Sequence, residues 1–132
     1  MEITVTQEQG RVPVTVLQVA GRTDSVSANE FEKKVMEVID AGARYLVLDL
    51  SKMPYISSAG LRVLQEIFNK LRSVSGDESD KEMYRRINEG TFKSPHLKLI
   101  YPTKEVQEVL KMSGFDMLVS IEKDLKAAVA SF

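Results

Sequence analysis

Two adjacent hydroxyl groups, those of Ser57 and Ser58, lie where the chain is expected to pass from a strand into a helix. The continuous apolar run of residues 45–48 is typical of a buried strand. Apolar residues then recur every three or four positions, which predicts a helix: Leu61, Leu64, Phe68 and Leu71. Free backbone N–H groups at the start of a helix favour negative charge. Each serine could therefore cap this helix or accept a phosphate.

The rest of the composition is poor in groups that catalyse reactions. The chain has 132 residues and no cysteine, which excludes disulfides, cysteine nucleophiles and cysteine-ligated zinc or iron–sulfur sites. Its one histidine, His96, is interpreted as a solvated or packed loop residue, and it would have to act alone as a base for Ser58. No Gly-Lys-Ser/Thr phosphate loop follows Gly60. We therefore expect no enzymatic activity, no metal and no cofactor.

The charge balance and hydropathy of the chain bear on its partners and location. It has 18 basic and 19 acidic residues, so a net charge of −1 gives no general attraction to nucleic acid or to anionic membranes. No apolar run approaches the roughly 20 residues that span a bilayer, and the N-terminus does not resemble a signal peptide. We expect a single domain over residues 1–132, located in the cytoplasm and not inserted in a membrane.

The pattern along the chain predicts an α/β fold in the order β-β-α-β-α-β-α-β-α. The strands are expected at residues 3–7, 14–19, 45–50, 96–100 and 117–121. The helices are expected from the Ser27 capping box to Gly42, from 58 to 72, from Thr103 to Gly114, and from 124 to 130. This order predicts a mostly parallel five-stranded sheet with an N-terminal β-hairpin and about four helices. Residues 73–94 are polar and turn-rich, which indicates a flexible or partly helical insertion.

Three segments of the chain resemble the STAS domain, a family named from sulfate transporters and anti-sigma factor antagonists. Residues 48–51 (Leu-Asp-Leu-Ser) and 55–61 (Tyr-Ile-Ser-Ser-Ala-Gly-Leu) resemble its strand, loop and phosphoacceptor-serine segment. Gly21-Arg22-Thr23-Asp24 resembles the family's Gly-x-Leu-Asp, with Thr23 where leucine is usual. Residues 94–115 are similar to its closing strand and helix. The resemblance covers nearly the whole chain except about residues 73–93, and it implies the STAS fold.

The resemblance also implies a function and a phosphoacceptor. Alignment on Gly60-Leu61 makes Ser58 the phosphoacceptor, with Ser57 as the alternative, at a position where many antagonists carry aspartate. In the stand-alone antagonists, the dephosphorylated protein binds an anti-sigma factor that is often also its serine kinase. Phosphorylation releases the antagonist, and a serine phosphatase resets it. The residues predicted to contact the partner are Asp24, Tyr55, Ile56, Ser57, Ser58, Gly60 and Arg62.

The residues around the serines allow more than one role each. Gly60 is expected to keep the surface beside Ser58 low and open to a kinase. Arg62, one helical turn after Ser58, could pair with a phosphate or remain a solvated helix residue. Asp24 could lie near the serines or only start the turn before the first helix. The apolar loop of residues 53–56 could contact a partner or form the edge of the core.

Two other functions remain open on the sequence alone. The chain could be a non-phosphorylated STAS-like accessory subunit of a membrane transporter. It could also be a small-ligand or nucleotide-binding domain that uses the start of the second helix to hold an anion. The sequence leaves the oligomeric state, the regulated genes and the identity of the partner open.

Overall fold

The computed structural model describes residues 1–132 and contains one five-stranded sheet in the order β1-β2-β3-β4-β5. β1 (Glu2–Gln9) pairs antiparallel with β2 (Pro13–Ala20). β3 (Leu46–Asp49), β4 (Leu97–Ile100) and β5 (Ser120–Glu122) then continue the sheet in parallel. The predicted mostly parallel sheet with an N-terminal hairpin is therefore confirmed.

Five α-helices connect and cover these strands, where about four were predicted. They are α1 (Ser25–Asp40), α2 (Ser58–Ser75), α3 (Asp80–Asn88), α4 (Lys104–Ser113) and α5 (Leu125–Ala130). The additional helix, α3, lies in the segment that was expected to be flexible or partly helical. None of the five has both the length and the apolar character that crossing a bilayer requires.

The start of α1 differs from the sequence prediction. The N-cap is Asp24 rather than Ser27, and its carboxylate accepts hydrogen bonds from the backbone N–H groups of Val26 and Ser27. The Ser27 hydroxyl in turn accepts the N–H of Asp24, at 2.8 Å, so the two residues form a reciprocal capping box. The prediction was wrong because Asp24-x-x-Ser27 fits the capping-box pattern as well as Ser27-x-x-Glu30 does. In the structure the helix begins at the earlier of the two pairs.

The fifth strand also begins later than predicted. Residues 115–117 form a short 3₁₀ turn after Gly114, and Phe115 is buried in the core. The burial of Phe115 keeps the chain turning before it becomes extended at Ser120, so the strand covers Ser120–Glu122 instead of residues 117–121.

Both faces of the sheet are buried along its central strand. Leu46 and Leu48 of β3 belong to a core cluster of 24 buried residues, to which α1, α2 and α4 also contribute. Val47 faces the other side, where α5 covers a smaller cluster of 5 buried residues. Burial on both faces explains why β3 reads as a continuous apolar run instead of an alternating one. Because β2 and β3 run parallel, their carboxyl ends lie at the same edge of the sheet.

Candidate functional site

The loops that follow β2 and β3 lie side by side at the carboxyl edge of the sheet. Thr23, in the loop before α1, and Ile56, in the loop before α2, form an isolated parallel β-bridge beyond the ends of the strands. The bridge brings the Gly21–Asp24 segment next to Ser57 and Ser58, although about thirty residues separate them in sequence. The structure therefore places Asp24 in the same region of the molecule as the serines, at the start of α1.

The two serines occupy different environments. Ser57 is the N-cap of α2, with extended backbone angles of φ −82° and ψ 171°, and its Oγ accepts a hydrogen bond from the backbone N–H of Gly60 at 3.2 Å. Ser58 is the first residue of the helix, is exposed, and takes no part in the cap. The sequence left both roles open for both residues. In the structure, Ser57 caps the helix and Ser58 presents its hydroxyl to solvent.

Thr23 holds the start of α2 in place, and the sequence analysis did not count it among the site residues. Its side chain is buried, with 1% of the residue exposed, and its Oγ1 accepts a hydrogen bond from the backbone N–H of Ser57 at 3.0 Å. A buried hydroxyl is stable only when it is hydrogen-bonded, so this contact explains how a polar residue is accommodated here. The signal that could have identified Thr23 was the polar residue where the family pattern has leucine.

Gly60 is buried against the bridge between the two loops. A Cβ at this position would lie 2.3 Å from Thr23 Oγ1, 2.7 Å from Thr23 Cβ and 2.8 Å from Ile56 Cγ1. Such distances are far below van der Waals contact, so only glycine allows α2 to approach the loops this closely. Gly60 therefore lies inside the junction and not at the open surface that the sequence predicted for it.

The apolar loop before α2 divides between core and surface. Met53 and Ile56 are buried in the core, with Ile56 only 1% exposed. Of the two positions that the sequence left open for this loop, Ile56 therefore takes the one at the edge of the core, with its side chain packed inward beneath the bridge. Tyr55 is 50% exposed, and Val26 in the first turn of α1 is 69% exposed. These two side chains add exposed apolar surface at the edge of the sheet that carries the serines.

The charged residues of the site are engaged with local partners. The Arg62 guanidinium lies 3.4 Å from a carboxylate oxygen of Glu32 on α1, and both side chains are partly exposed. The carboxylate of Asp24 is exposed, and its hydrogen bonds to Ser27, first the one from the backbone N–H and then the one from the hydroxyl, hold its pKa below the usual range. Asp24 therefore stays ionised at neutral pH and acts as the cap of α1.

A shallow depression of about 540 Å³ adjoins the exposed side of Tyr55. Its other lining residues are Arg22, Pro54, Thr103 and Glu105. The Thr103 hydroxyl also caps α4 and lies 3.4 Å from the carbonyl oxygen of Pro54. No group of three or more His, Cys, Asp or Glu side chains in the structure could hold a metal ion. The depression thus extends the exposed surface around Tyr55 toward the loop after β4.

The two loops that carry Asp24 and the serines fall within a family match. The model of the STAS domain matches residues 4–77, which include both loops and the two serines. The chain belongs to the STAS domain family. A protein of Bordetella bronchiseptica named the anti-sigma factor antagonist BtrV is 32% identical over 132 residues, covering 100% of this chain and 95% of that protein. The anti-sigma-F factor antagonist RsfB of Mycobacterium tuberculosis is 32% identical over 69 residues, 52% of this chain and 54% of RsfB.

Solved structures of an anti-sigma factor antagonist and of SpoIIAA share the fold. The structure of an anti-sigma factor antagonist from Mycobacterium paratuberculosis has a TM-score of 0.70 at 21% identity, covering 98% of this chain and 93% of that chain. The Bacillus protein SpoIIAA in its phosphorylated form has a TM-score of 0.60 at 14% identity, covering 94% and 96%. The STAS fold predicted from the sequence is confirmed. α3 follows directly after the residues that the family model matches.

Proposed function

We propose that this protein is an anti-sigma factor antagonist that binds an anti-sigma factor through the surface around Ser58 and is released when Ser58 is phosphorylated. The observation that carries the proposal is the exposed hydroxyl of Ser58 beside a helix start that Ser57 caps separately. The names of BtrV and RsfB support the antagonist role. The structures of SpoIIAA in unphosphorylated and phosphorylated forms support a role for phosphate.

The start of α2 can accept a phosphate on Ser58 without loss of the fold. A phosphoryl group adds about −1.5 to −2 charges at neutral pH. The N-terminal end of an 18-residue helix favours negative charge. The capping hydrogen bond from Gly60 N–H goes to Ser57 and not to Ser58, so modification of Ser58 leaves it in place. The phosphorylated protein should therefore keep the same structure.

A partner docked over Ser58 would respond strongly to the same charge. The exposed side chains of Tyr55 and Val26 provide apolar contact area that such a partner could cover. A phosphate beneath that partner would lose its water without a neutralising group, which is unfavourable. Arg62 already faces Glu32, so it offers no unpaired cation beside the serine. Because of this difference between the free and the bound state, phosphorylation of Ser58 by a serine kinase lowers the affinity for the partner. Dephosphorylation by a serine phosphatase restores it.

The acceptor residue is tested by treating the purified protein with its cognate anti-sigma kinase and mapping the phosphate by mass spectrometry. We expect the phosphate on Ser58. A phosphate found only at other residues would contradict the mechanism. Failure of the kinase to modify the protein, combined with co-purification of a permease, would favour the accessory-subunit alternative.

The charge effect is tested with Ser58→Asp and the matched neutral variant Ser58→Asn. We expect Ser58→Asp to weaken binding of the anti-sigma factor at least about tenfold, or about 1.4 kcal/mol, beyond the effect of Ser58→Asn. Titration calorimetry measures both affinities, and circular dichroism checks that both variants stay folded. Equal affinities for the two variants would show that charge at Ser58 does not control binding.

A further inference from the structure

β1 forms an unusually open edge of the sheet. It has 8 residues, whereas β5 at the opposite edge has only 3. Proteins commonly protect long edges with lysine, proline or a bulge. The sequence of β1, Glu-Ile-Thr-Val-Thr-Gln-Glu-Gln, contains neither lysine nor proline, and its register with β2 runs without a bulge from Glu2 opposite Ala20 to Gln9 opposite Pro13. The outer side of β1 is therefore ready to pair with another strand.

The register shows which main-chain groups face outward. The backbone N–H of Thr15 in β2 donates to the carbonyl of Tyr45 at 2.9 Å, so the main-chain groups of Thr15 point toward β3. The direction of the main-chain N–H and C=O groups alternates from one residue of a strand to the next, so those of Val16 point toward β1, where Val16 lies opposite Thr6. The even-numbered residues of β1 are thus bonded to β2. The outward N–H and C=O groups are those of Ile3, Val5 and Gln7.

The side chains of β1 make this edge complementary to itself in one antiparallel register. With a two-fold axis at Thr4, Ile3 lies opposite Val5 of the second copy, and both outward-facing residues can exchange their main-chain hydrogen bonds. Thr4 then meets Thr4, and Glu2 lies opposite Thr6, so no like charges face each other. Moving the axis to Val5 would place Glu2 opposite Glu8, which is unfavourable.

We propose that a second copy of this chain binds along β1, antiparallel and centred on Thr4, and joins the two five-stranded sheets into one continuous sheet. The contact is isologous, since the same strand serves on both sides. Its core consists of two Ile3–Val5 pairs, which lie on the face of the sheet that also carries the main core. The interface is small, and the dimer is therefore reversible and dependent on concentration. The proposal is independent of the role of Ser58.

The dimer is tested by sedimentation of the full chain over a dilution series from about 1 mM to about 10 µM, the range in which a small interface dissociates. We expect a monomer–dimer equilibrium with concentration-dependent protection of the Ile3 and Val5 amides from hydrogen exchange. A protein that stays monomeric over the whole range would overturn the proposal. A dimer in which the Ile3 and Val5 amides stay unprotected would also overturn it.

The register is tested with two exposed threonines of the same strand. Thr4→Lys places two lysines opposite each other at the axis, so we expect at least about tenfold weaker dimerisation. Thr6→Lys places each lysine opposite Glu2 of the other copy, so dimerisation should be retained or strengthened. Equal weakening in both variants, or none in either, would contradict pairing centred on Thr4. The unchanged β1–β2 pairing in each variant is checked by circular dichroism and thermal unfolding.

Discussion

Ser57 and Ser58 carry the same side chain but differ by one position at the start of a helix. At the N-cap, the hydroxyl oxygen of Ser57 accepts a hydrogen bond from the backbone N–H of Gly60, three residues later in the chain. At the first helical position, the Ser58 side chain lies outside the cap and faces solvent. A kinase acting on Ser57 would have to displace a capping group, whereas Ser58 is accessible without any rearrangement. This geometry favours Ser58 on grounds that are independent of sequence alignment.

Alanine variants of the two serines should separate these roles at the level of stability. We predict that Ser57→Ala lowers the free energy of unfolding by about 1 kcal/mol, because it removes the cap of α2. Ser58→Ala should change it by less than about 0.5 kcal/mol, as expected for an exposed residue without partners. Urea denaturation followed by circular dichroism measures both values. A larger loss for Ser58→Ala than for Ser57→Ala would show that the cap is assigned to the wrong serine.

At the level of elements, the site depends on a junction between two loops and the first turn of α2. Thr23 forms a β-bridge with Ile56, and its hydroxyl oxygen accepts a hydrogen bond from the backbone N–H of Ser57. Its side chain also packs closely against Gly60. The loop after β2 therefore determines where α2 begins. The same loop provides Asp24 as the cap of α1. A single segment thus positions the N-termini of both helices.

The variant Thr23→Val tests this junction because valine keeps the shape of threonine but cannot accept a hydrogen bond. The N–H of Ser57 would lose its partner, which should lower the free energy of unfolding by about 1–3 kcal/mol. The matched control is Thr15→Val, since the buried Thr15 hydroxyl bonds only to the exposed amide of Gln7, which water can satisfy. Hydrogen exchange should also accelerate at Ser57 and Gly60 in Thr23→Val. Equal losses of stability in the two variants would contradict a special role for Thr23.

At the level of the whole molecule, α3 and the serines lie at opposite ends of α2. The 18 residues of this helix extend over about 27 Å at a rise of about 1.5 Å per residue. α3 follows its C-terminal end, where Arg72 binds the carboxylate of Asp80 and the carbonyl of Glu78, at 2.8 and 2.7 Å. Arg86 of α3 binds the Glu78 carboxylate at 2.8 Å. α3 is therefore not part of the surface around Ser58.

His96 contacts two segments of the chain near the end of α2 that lies far from Ser58. The residue is 7% exposed, and its Nε2 and Nδ1 lie 2.8 Å from Asp77 Oδ1 and 2.9 Å from the carbonyl oxygen of Arg44. Each ring nitrogen therefore lies within hydrogen-bond distance of an oxygen from a different segment of the chain. His96 is thus a packed residue that links the segment between α2 and α3 to the loop before β3 and to the start of β4.

Asp77→Ala tests whether the two ends act separately. It leaves Nε2 of His96 without its partner, so the free energy of unfolding should fall by about 1–3 kcal/mol. Amide exchange should accelerate in residues 76–95, while affinity for the anti-sigma factor stays unchanged. The matched control is Asp40→Ala, which breaks a mostly exposed pair with Lys70 and should have little effect. A loss of affinity like that of Ser58→Asp would show that the ends are coupled.

The elements of the fold were largely predictable because their signals are local. The stripe from Leu61 to Leu71 predicted α2, and the capping residues Thr103 and Asp124 start α4 and α5 as expected. A cap and its N–H partners lie within a few residues of one another, so sequence spacing is enough to find them. The start of α1 was wrong because two overlapping segments satisfy the same local rule.

The details of the site depended on contacts between residues far apart in the chain. Sequence alone determined the family, the strand–helix order and a pair of candidate serines at the start of α2. Only the tertiary structure assigned the cap to Ser57 and left Ser58 free, because the Ser57 N–H is held by Thr23, 34 positions away. The same junction buries Ile56 and Gly60 while Tyr55 remains outside. A hydrogen bond and a close packing contact between two loops cannot be inferred from the periodicity of either one.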